Sequence, residues 1–152
     1  MIIVEPADPL ASGPTALLRS SHALMQELYQ PEDNYFLDLE ALRAPDIRFF
    51  AAREGDVILG TGALAVKNGY GEVKSMFTAP EARGKGVAAA LLRAIEDEAR
   101  SLDLPLLRLE TGDELAAAVR LYERAGFTRC AIFGDYRPNK TSVYMEKPLD
   151  LG

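Results

Sequence analysis

Apolar residues recur at two different periods along the chain, and the changes between them mark out its elements. Val87, Ala88, Leu91, Leu92, Ile95, Ala99 and Leu102 fall on one side of a helical wheel, with Arg93, Glu96, Asp97 and Arg100 on the other. This predicts a helix with one buried face. Just upstream, Val73 to Thr78 is short, holds β-branched and aromatic residues and is stopped by Ala79-Pro80, so it reads as a strand. Gly84 and Gly86 lie between the two, where the helix begins, so backbone N–H groups with no partner inside the helix point out of the turn. Such a terminus attracts anions, phosphate above all.

The same reading covers the rest of the chain. Ile2-Ile3-Val4 is a first strand. Pro14 suits the first turn of a helix carrying Leu17, Leu18, His22, Met25 and Tyr29 to a stop at Pro31. Phe36, Leu37, Leu39 and Leu42 suggest a brief second helix ended by Pro45. Ile47 to Arg53 and Val57 to Val66 are strands joined by the turn Glu54-Gly55-Asp56, and Asn68-Gly69 predicts an antiparallel return into the strand that begins near Glu72. Beyond the long helix, Leu106 to Glu110 is a compact strand, and the intervening helix lets it run parallel to the one at Val73 as a right-handed βαβ unit. Asp113-Glu114 opens a further helix with inner face Leu115, Ala118, Val119, Tyr122 and Ala125, terminated by Gly126. Phe127 to Phe133 and Thr141 to Lys147 are two closing strands.

Composition narrows what this arrangement can be. At 152 residues and 48% hydrophobic, residues 1–152 suit a single domain with one substantial core. A net charge of −6 argues against a general nucleic-acid binder, so an anionic ligand must be held by local groups such as Arg83, Lys85 and Lys74. The single cysteine, Cys130, excludes an internal disulfide and reads as a packing residue. His22 is the only histidine and has no ligand-spaced companions, so no metal site is expected. The N-terminus lacks a leader pattern and no stretch is long enough to cross a bilayer, which points to a cytoplasmic protein without membrane contact.

Arg83-Gly84-Lys85-Gly86-Val87-Ala88 fits the Arg/Gln-x-x-Gly-x-Gly/Ala signature of the GNAT superfamily of N-acetyltransferases, and Ala118 to Phe127, with Leu121-Tyr122 and Gly126-Phe127, is similar to its second motif. The order of elements resembles that α/β fold over nearly the whole chain: a strand, two helices, three strands, a helix, a strand, a helix and two strands, forming a mixed, mostly antiparallel sheet. Many members carry an asparagine after the fifth strand, where this chain has Thr111-Gly112. The resemblance implies an acyltransferase that uses acetyl-CoA as cosubstrate and acetylates a primary amine of a small molecule, amino acid or peptide by direct attack in a ternary complex.

It implies roles for residues as well. The diphosphate would rest on the backbone amides from Arg83 through Gly84, Lys85, Gly86 and Val87 to Ala88, where glycines permit close approach. The pantetheine arm would lie along Met76, Phe77 and Thr78, with an N–H near Met76 serving the thioester oxygen. Tyr122 matches the tyrosine placed near the departing sulfur. A thiol pKa of about 8.5 against about 10 for tyrosine makes it chiefly a hydrogen-bond donor. An ammonium acceptor must be deprotonated, and Glu72 is the first choice of general base, with Glu110 as its rival.

Other readings compete. A non-catalytic module that binds acyl-CoA and reports it to a protein partner would keep the same turn. Gly84-Lys85-Gly86-Val87-Ala88-Ala89 also fits the dinucleotide pattern Gly-x-Gly-x-x-Ala, with Glu110 at the following strand end; against it, only one βαβ unit is visible. The acceptor pocket is expected between the segment His22 to Phe36 and the loop Phe133 to Tyr136, lined by Tyr29, Tyr35 and Tyr136. Ser142 to Lys147 could pair across a homodimer interface.

Overall fold

The computed structural model describes residues 1–150. Its strands are β1 (Ile3–Pro6), β2 (Ile47–Glu54), β3 (Val57–Val66), β4 (Gly71–Thr78), β5 (Leu106–Gly112), β6 (Thr128–Arg129) and β7 (Ser142–Pro148). Its helices are α1 (Ser12–Leu28), α2 (Val87–Ser101) and α3 (Ala116–Arg124). The seven strands form one sheet in the order β1-β2-β3-β4-β5-β7-β6. Every pair is antiparallel except β4 with β5, which flank α2 as the expected βαβ unit.

Alternation along the strands sorts the two layers. Leu64 and Val73 face α2, whose buried Val87, Leu91, Leu92, Ile95 and Ala99 form the main core with Leu107, Leu109 and Met145. Neighbouring Ala63 faces the other way, into a smaller cluster with Leu18 of α1, Leu42 and Phe49. Thus α1 and α2 cover opposite faces. No helix among the described residues is long and apolar enough to cross a membrane.

Three expectations are corrected. The segment from Phe36 to Leu42 is not a helix; short 3-10 turns at Pro31–Asp33 and Ala41–Arg43 flank a non-helical stretch. Phe36 is drawn onto His22, rings stacked at 4.1 Å, the Tyr35 carbonyl accepts from Lys74 Nζ at 2.9 Å, and Asp38 turns its carboxylate to the Ala41 N–H at 2.7 Å. These contacts replace intrahelical bonds. The closing strand expected through Phe133 is only Thr128–Arg129, because the chain then leaves the sheet to carry Phe133 into an aromatic cluster with Tyr70, Tyr136 and Tyr144. The helix expected at Asp113 starts at Ala116, since the Glu114 N–H is taken by the Tyr29 hydroxyl and the Leu115 N–H by the Gly112 carbonyl.

Pairing between β4 and β5 covers only Gly71, Glu72 and Val73 against Leu107, Arg108 and Leu109. Beyond that point the strands part. β4 also carries a bulge: Thr61 pairs with Phe77 but Ala63 with Lys74, so an extra residue intervenes. Ser75 within it has φ 57°, and its carbonyl is held by Thr61 Oγ1 at 2.9 Å.

Candidate active site

The gap between β4 and β5 is a wedge through the sheet. A cavity of about 110 Å³ fills it, bounded by Met25 from α1, Tyr29 just after it, Ser75 and Met76 from the bulge, Glu110 from β5 and Tyr122 from α3. Tyr122 is 6% exposed, with its ring edge-on to Phe127 at 5.7 Å. Its hydroxyl has no hydrogen-bond partner among the described residues, and burial pushes its pKa well up. It is therefore a neutral hydroxyl, able to donate, on a residue that lines the cavity.

Glu110 shares that cavity. Ser142 Oγ donates to Glu110 Oε2 at 2.6 Å, and desolvation raises the carboxyl pKa despite that bond and the opposing field of Lys74. Glu72 lies elsewhere. It is 4% exposed, accepts a short hydrogen bond from the Tyr136 hydroxyl and has Lys74 Nζ at 3.6 Å. Its carboxylate borders a second, larger cavity instead of the one holding Tyr122. Lys74, expected among the groups free to hold an anion, is committed: it also donates to Tyr136 Oη and the Tyr35 carbonyl, each at 2.9 Å.

The glycine turn stands at the far end of β4. After Thr78, a 3-10 turn at Pro80–Ala82 leads to exposed Arg83, Gly84, Lys85 and Gly86, and α2 begins at Val87. Gly84 and Gly86 have φ 81° and 80°, the left-handed region, and a Cβ on either would meet nothing within 4 Å. As the first residues of α2, Val87 and Ala88 carry backbone N–H groups with no partner inside the helix, and no side chain caps that end. Met76 borders the wedge, while Phe77 and Thr78 continue β4 toward the turn, paired with Thr61 and Gly60.

Two hydroxyls had no signal in the sequence. Ser142 reaches Glu110 only because β5 and β7 pair in register. Ser75 Oγ is buried with no hydrogen-bond partner among the described residues, beside the wedge. His22 stacks on Phe36, which borders the cavity, and burial lowers its pKa. Cys130 is half-buried and its thiol pKa is raised, first by burial and then by Glu146. β7, the strand considered for pairing across a dimer, already has β5 on one side and β6 on the other at Met145 and Glu146.

Residues 16–127 match the model of the acetyltransferase (GNAT) family. The chain belongs to the GNAT family of acyltransferases. It is 44% identical over 143 residues to the IAA acetyltransferase of Azospirillum brasilense, covering 93% of this chain and 94% of that one. The uncharacterized N-acetyltransferase YsnE of Bacillus subtilis is 43% identical over 122 residues, 78% of this chain and 81% of YsnE. A Klebsiella pneumoniae protein provisionally described as an acyl-CoA N-acyltransferase superposes with a TM-score of 0.83 at 32% identity over 99% of both chains. The PaiA N-acetyltransferase of Thermoplasma acidophilum, solved with coenzyme A, shares the fold with a TM-score of 0.74 at 17% identity, over 97% of this chain and 99% of that one. With a GNAT sheet in which a single pair of strands runs parallel, the dinucleotide reading has no parallel half to rest on.

Proposed function

We propose that this GNAT acyltransferase moves the acetyl group of acetyl-CoA to a primary amine by direct attack, with Glu110 as general base and Tyr122 as donor to the departing sulfur. The observation that carries the reading is that a partnerless tyrosine hydroxyl and a carboxyl of raised pKa border one small cavity, in the wedge where β4 is no longer paired with β5. In this reading the diphosphate rests on the amides of Arg83 to Ala88 and the pantetheine runs beside Met76, Phe77 and Thr78, forming the main-chain bonds that β5 no longer supplies.

An amine of pKa about 10.4 is almost wholly protonated at neutral pH, so it must first lose a proton to Glu110 or to a water held there. Its lone pair then forms the N–C bond while the carbonyl oxygen takes up negative charge near the Met76 amide. As the C–S bond breaks, the electron pair stays on sulfur, where the Tyr122 hydroxyl donates to it. Because burial raises the Tyr122 pKa further above that of a thiol, full transfer from tyrosine is uphill. Once Glu110 has passed the first proton to solvent it takes the second from the nitrogen, and the thiolate picks up a proton from solvent, so the products are an amide, the free thiol and one net proton released. Glu110 suits the base role better than Glu72, whose oxygen is engaged by Tyr136 and Lys74. A relative named IAA acetyltransferase favours a small-molecule acceptor for this chain as well.

The test is incubation with acetyl-CoA and an amine panel, reading free thiol. Thiol released only with an amine supports transfer. Tight acetyl-CoA binding with no release from any amine would point to the sensor reading instead.

A further inference from the structure

We infer that Asn139 and Ser142 are positioning residues for Glu110: a directed line of hydrogen bonds, from Asn139 to Ser142 to Glu110, holds one carboxylate oxygen beside the wedge and leaves the other to take the proton. This deepens the acetyl-transfer reading and rests on it for the base role of Glu110.

The backbone sets the direction of the line. Asn139 Oδ1 accepts the N–H groups of Thr141 at 2.9 Å and Ser142 at 2.8 Å, and the Thr141 hydroxyl at 3.1 Å. An asparagine oxygen that takes the N–H groups just ahead of it makes a tight local turn. Turning the amide over would set its NH2 against those two N–H groups, so the oxygen is fixed and Nδ2 with it. From there Nδ2 donates to Ser142 Oγ at 3.0 Å and to the Arg137 carbonyl at 3.1 Å. A hydroxyl that accepts from an amide has its own proton left for another acceptor, and here that acceptor is Glu110 Oε2 at 2.6 Å. The turn is itself pinned to the end of β5, because the Thr141 carbonyl accepts the Asp113 N–H at 2.8 Å. Register does the rest: Glu110 pairs with Tyr144, and Ser142 stands diagonally from it on the same face of the sheet.

This donor matters because the other groups around Glu110 do not replace it. Lys74 on β4 favours the ionised carboxyl, while burial and Glu72 on the same strand oppose it. Tyr29 after α1, Tyr136 in the loop before β7 and Tyr144 on β7 also face the carboxyl, but burial raises the pKa of each, so all three are neutral where a carboxyl titrates. Ser142 Oγ is the hydrogen-bond donor to Glu110 among the described residues. Such a bond is stronger to a carboxylate than to the neutral acid, so it keeps a base available in a site whose burial works against one. Oε1 accepts no hydrogen bond among the described residues and is not sealed from solvent, which leaves it for the incoming proton.

Carbon NMR titration of the Glu110 carboxyl in isotope-labelled, ligand-free protein, assigned by the resonance lost in Glu110→Gln, tests the line without an acceptor. Ser142→Ala should raise the midpoint by about one pH unit, the loss of one charge-assisted hydrogen bond. Asn139→Ala, which lets the serine proton turn elsewhere, should raise it by less, and Ser142→Thr should restore it. If Ser142→Ala loses its circular-dichroism spectrum, Ser142→Val, isosteric with the threonine variant, replaces it. In turnover with the panel amine that releases thiol fastest, the pH–rate midpoint should rise with the NMR midpoint, so that activity falls about tenfold below it and much less above. An NMR midpoint that stays in place without the hydroxyl, or that threonine fails to restore, overturns the inference, as does an even loss of rate at every pH with no NMR shift. An NMR midpoint that rises while the rate profile keeps its shape would uphold the hold on Glu110 and sink its role as base.

Discussion

The Tyr29 ring lies directly across Gly112: its hydroxyl accepts the Glu114 N–H at 2.9 Å, and a Cβ on Gly112 would stand 1.8 Å from that oxygen. Glycine is required here by space, at the last residue of β5. Tyr29→Phe should cost about 1 kcal/mol for the lost hydrogen bond, whereas Gly112→Ala must displace the ring and cost more, roughly 2 kcal/mol. In a Tyr29→Ala background Gly112→Ala should be nearly neutral. Urea unfolding of the double-mutant cycle measures the coupling, and additivity of the two changes would refute the contact.

Tyr122→Phe separates catalysis from packing. The hydroxyl has no protein partner to lose, so stability should change little, while turnover with saturating acceptor should fall roughly tenfold or more, the worth of about 1.4 kcal/mol of transition-state hydrogen bonding. Unchanged turnover would remove the donor role.

For Glu110, stability and activity should respond to pH in opposite directions. Burial raises its folded pKa, so its contribution to stability is fully present below the unfolded value and is lost as pH rises through the folded value. Glu110→Gln, which can keep the Ser142 contact, should therefore gain on wild type in urea unfolding as pH goes from 4 to 7. Activity should run the other way, because only the ionised form accepts a proton: wild-type turnover rises through the same titration and Glu110→Gln loses that rise. A pH profile unaltered in Glu110→Gln would return the base role to Glu72 or to water.

Ser75 holds a left-handed backbone angle and a buried, unpartnered hydroxyl beside the wedge. Ser75→Gly relieves the angle and should stabilise the fold by about 1 kcal/mol. If the bulge positions the Met76 amide for the thioester, the looser backbone should at the same time lower kcat. Thermal unfolding and steady-state kinetics on one sample check both; a variant that is less stable and fully active would contradict the account.

At Lys74 the question is charge compensation. Lys74→Met strands the 4%-exposed Glu72 carboxylate beside an apolar side chain, with an expected loss of about 3 kcal/mol, and adding Glu72→Gln should recover much of it. Unfolding free energies of the single and double variants provide the measurement.

Much of the frame was legible locally. The strand Val57–Val66 and the helix from Val87 follow their periods, and the left-handed glycines at 84 and 86 sit where the turn composition put them. Expectations failed where distant groups compete for the backbone. Residues 36 to 42 carry a helix-like apolar pattern, yet His22, Lys74 and Asp38 offer better partners. The Phe127 to Phe133 strand shortens for a similar reason, since Phe133 gains more from Tyr70, Tyr136 and Tyr144 than from continuing the ladder.

The sequence by itself determined the family, the order of the seven strands along the chain, the glycine turn before α2 and the place of Tyr122 on the inner face of α3, because each depends on residues within a few turns of one another. Only the tertiary structure decided which carboxylate faces that tyrosine. Glu72 and Glu110 are equivalent as residues on neighbouring strands, but β4 and β5 part after Val73 and Leu109, leaving Glu72 with Tyr136 and Lys74 and opening the wedge beside Glu110. Strand splay and the partners of a buried charge arise from contacts spanning more than sixty residues, as between Tyr136 and Glu72, and no local pattern encodes them.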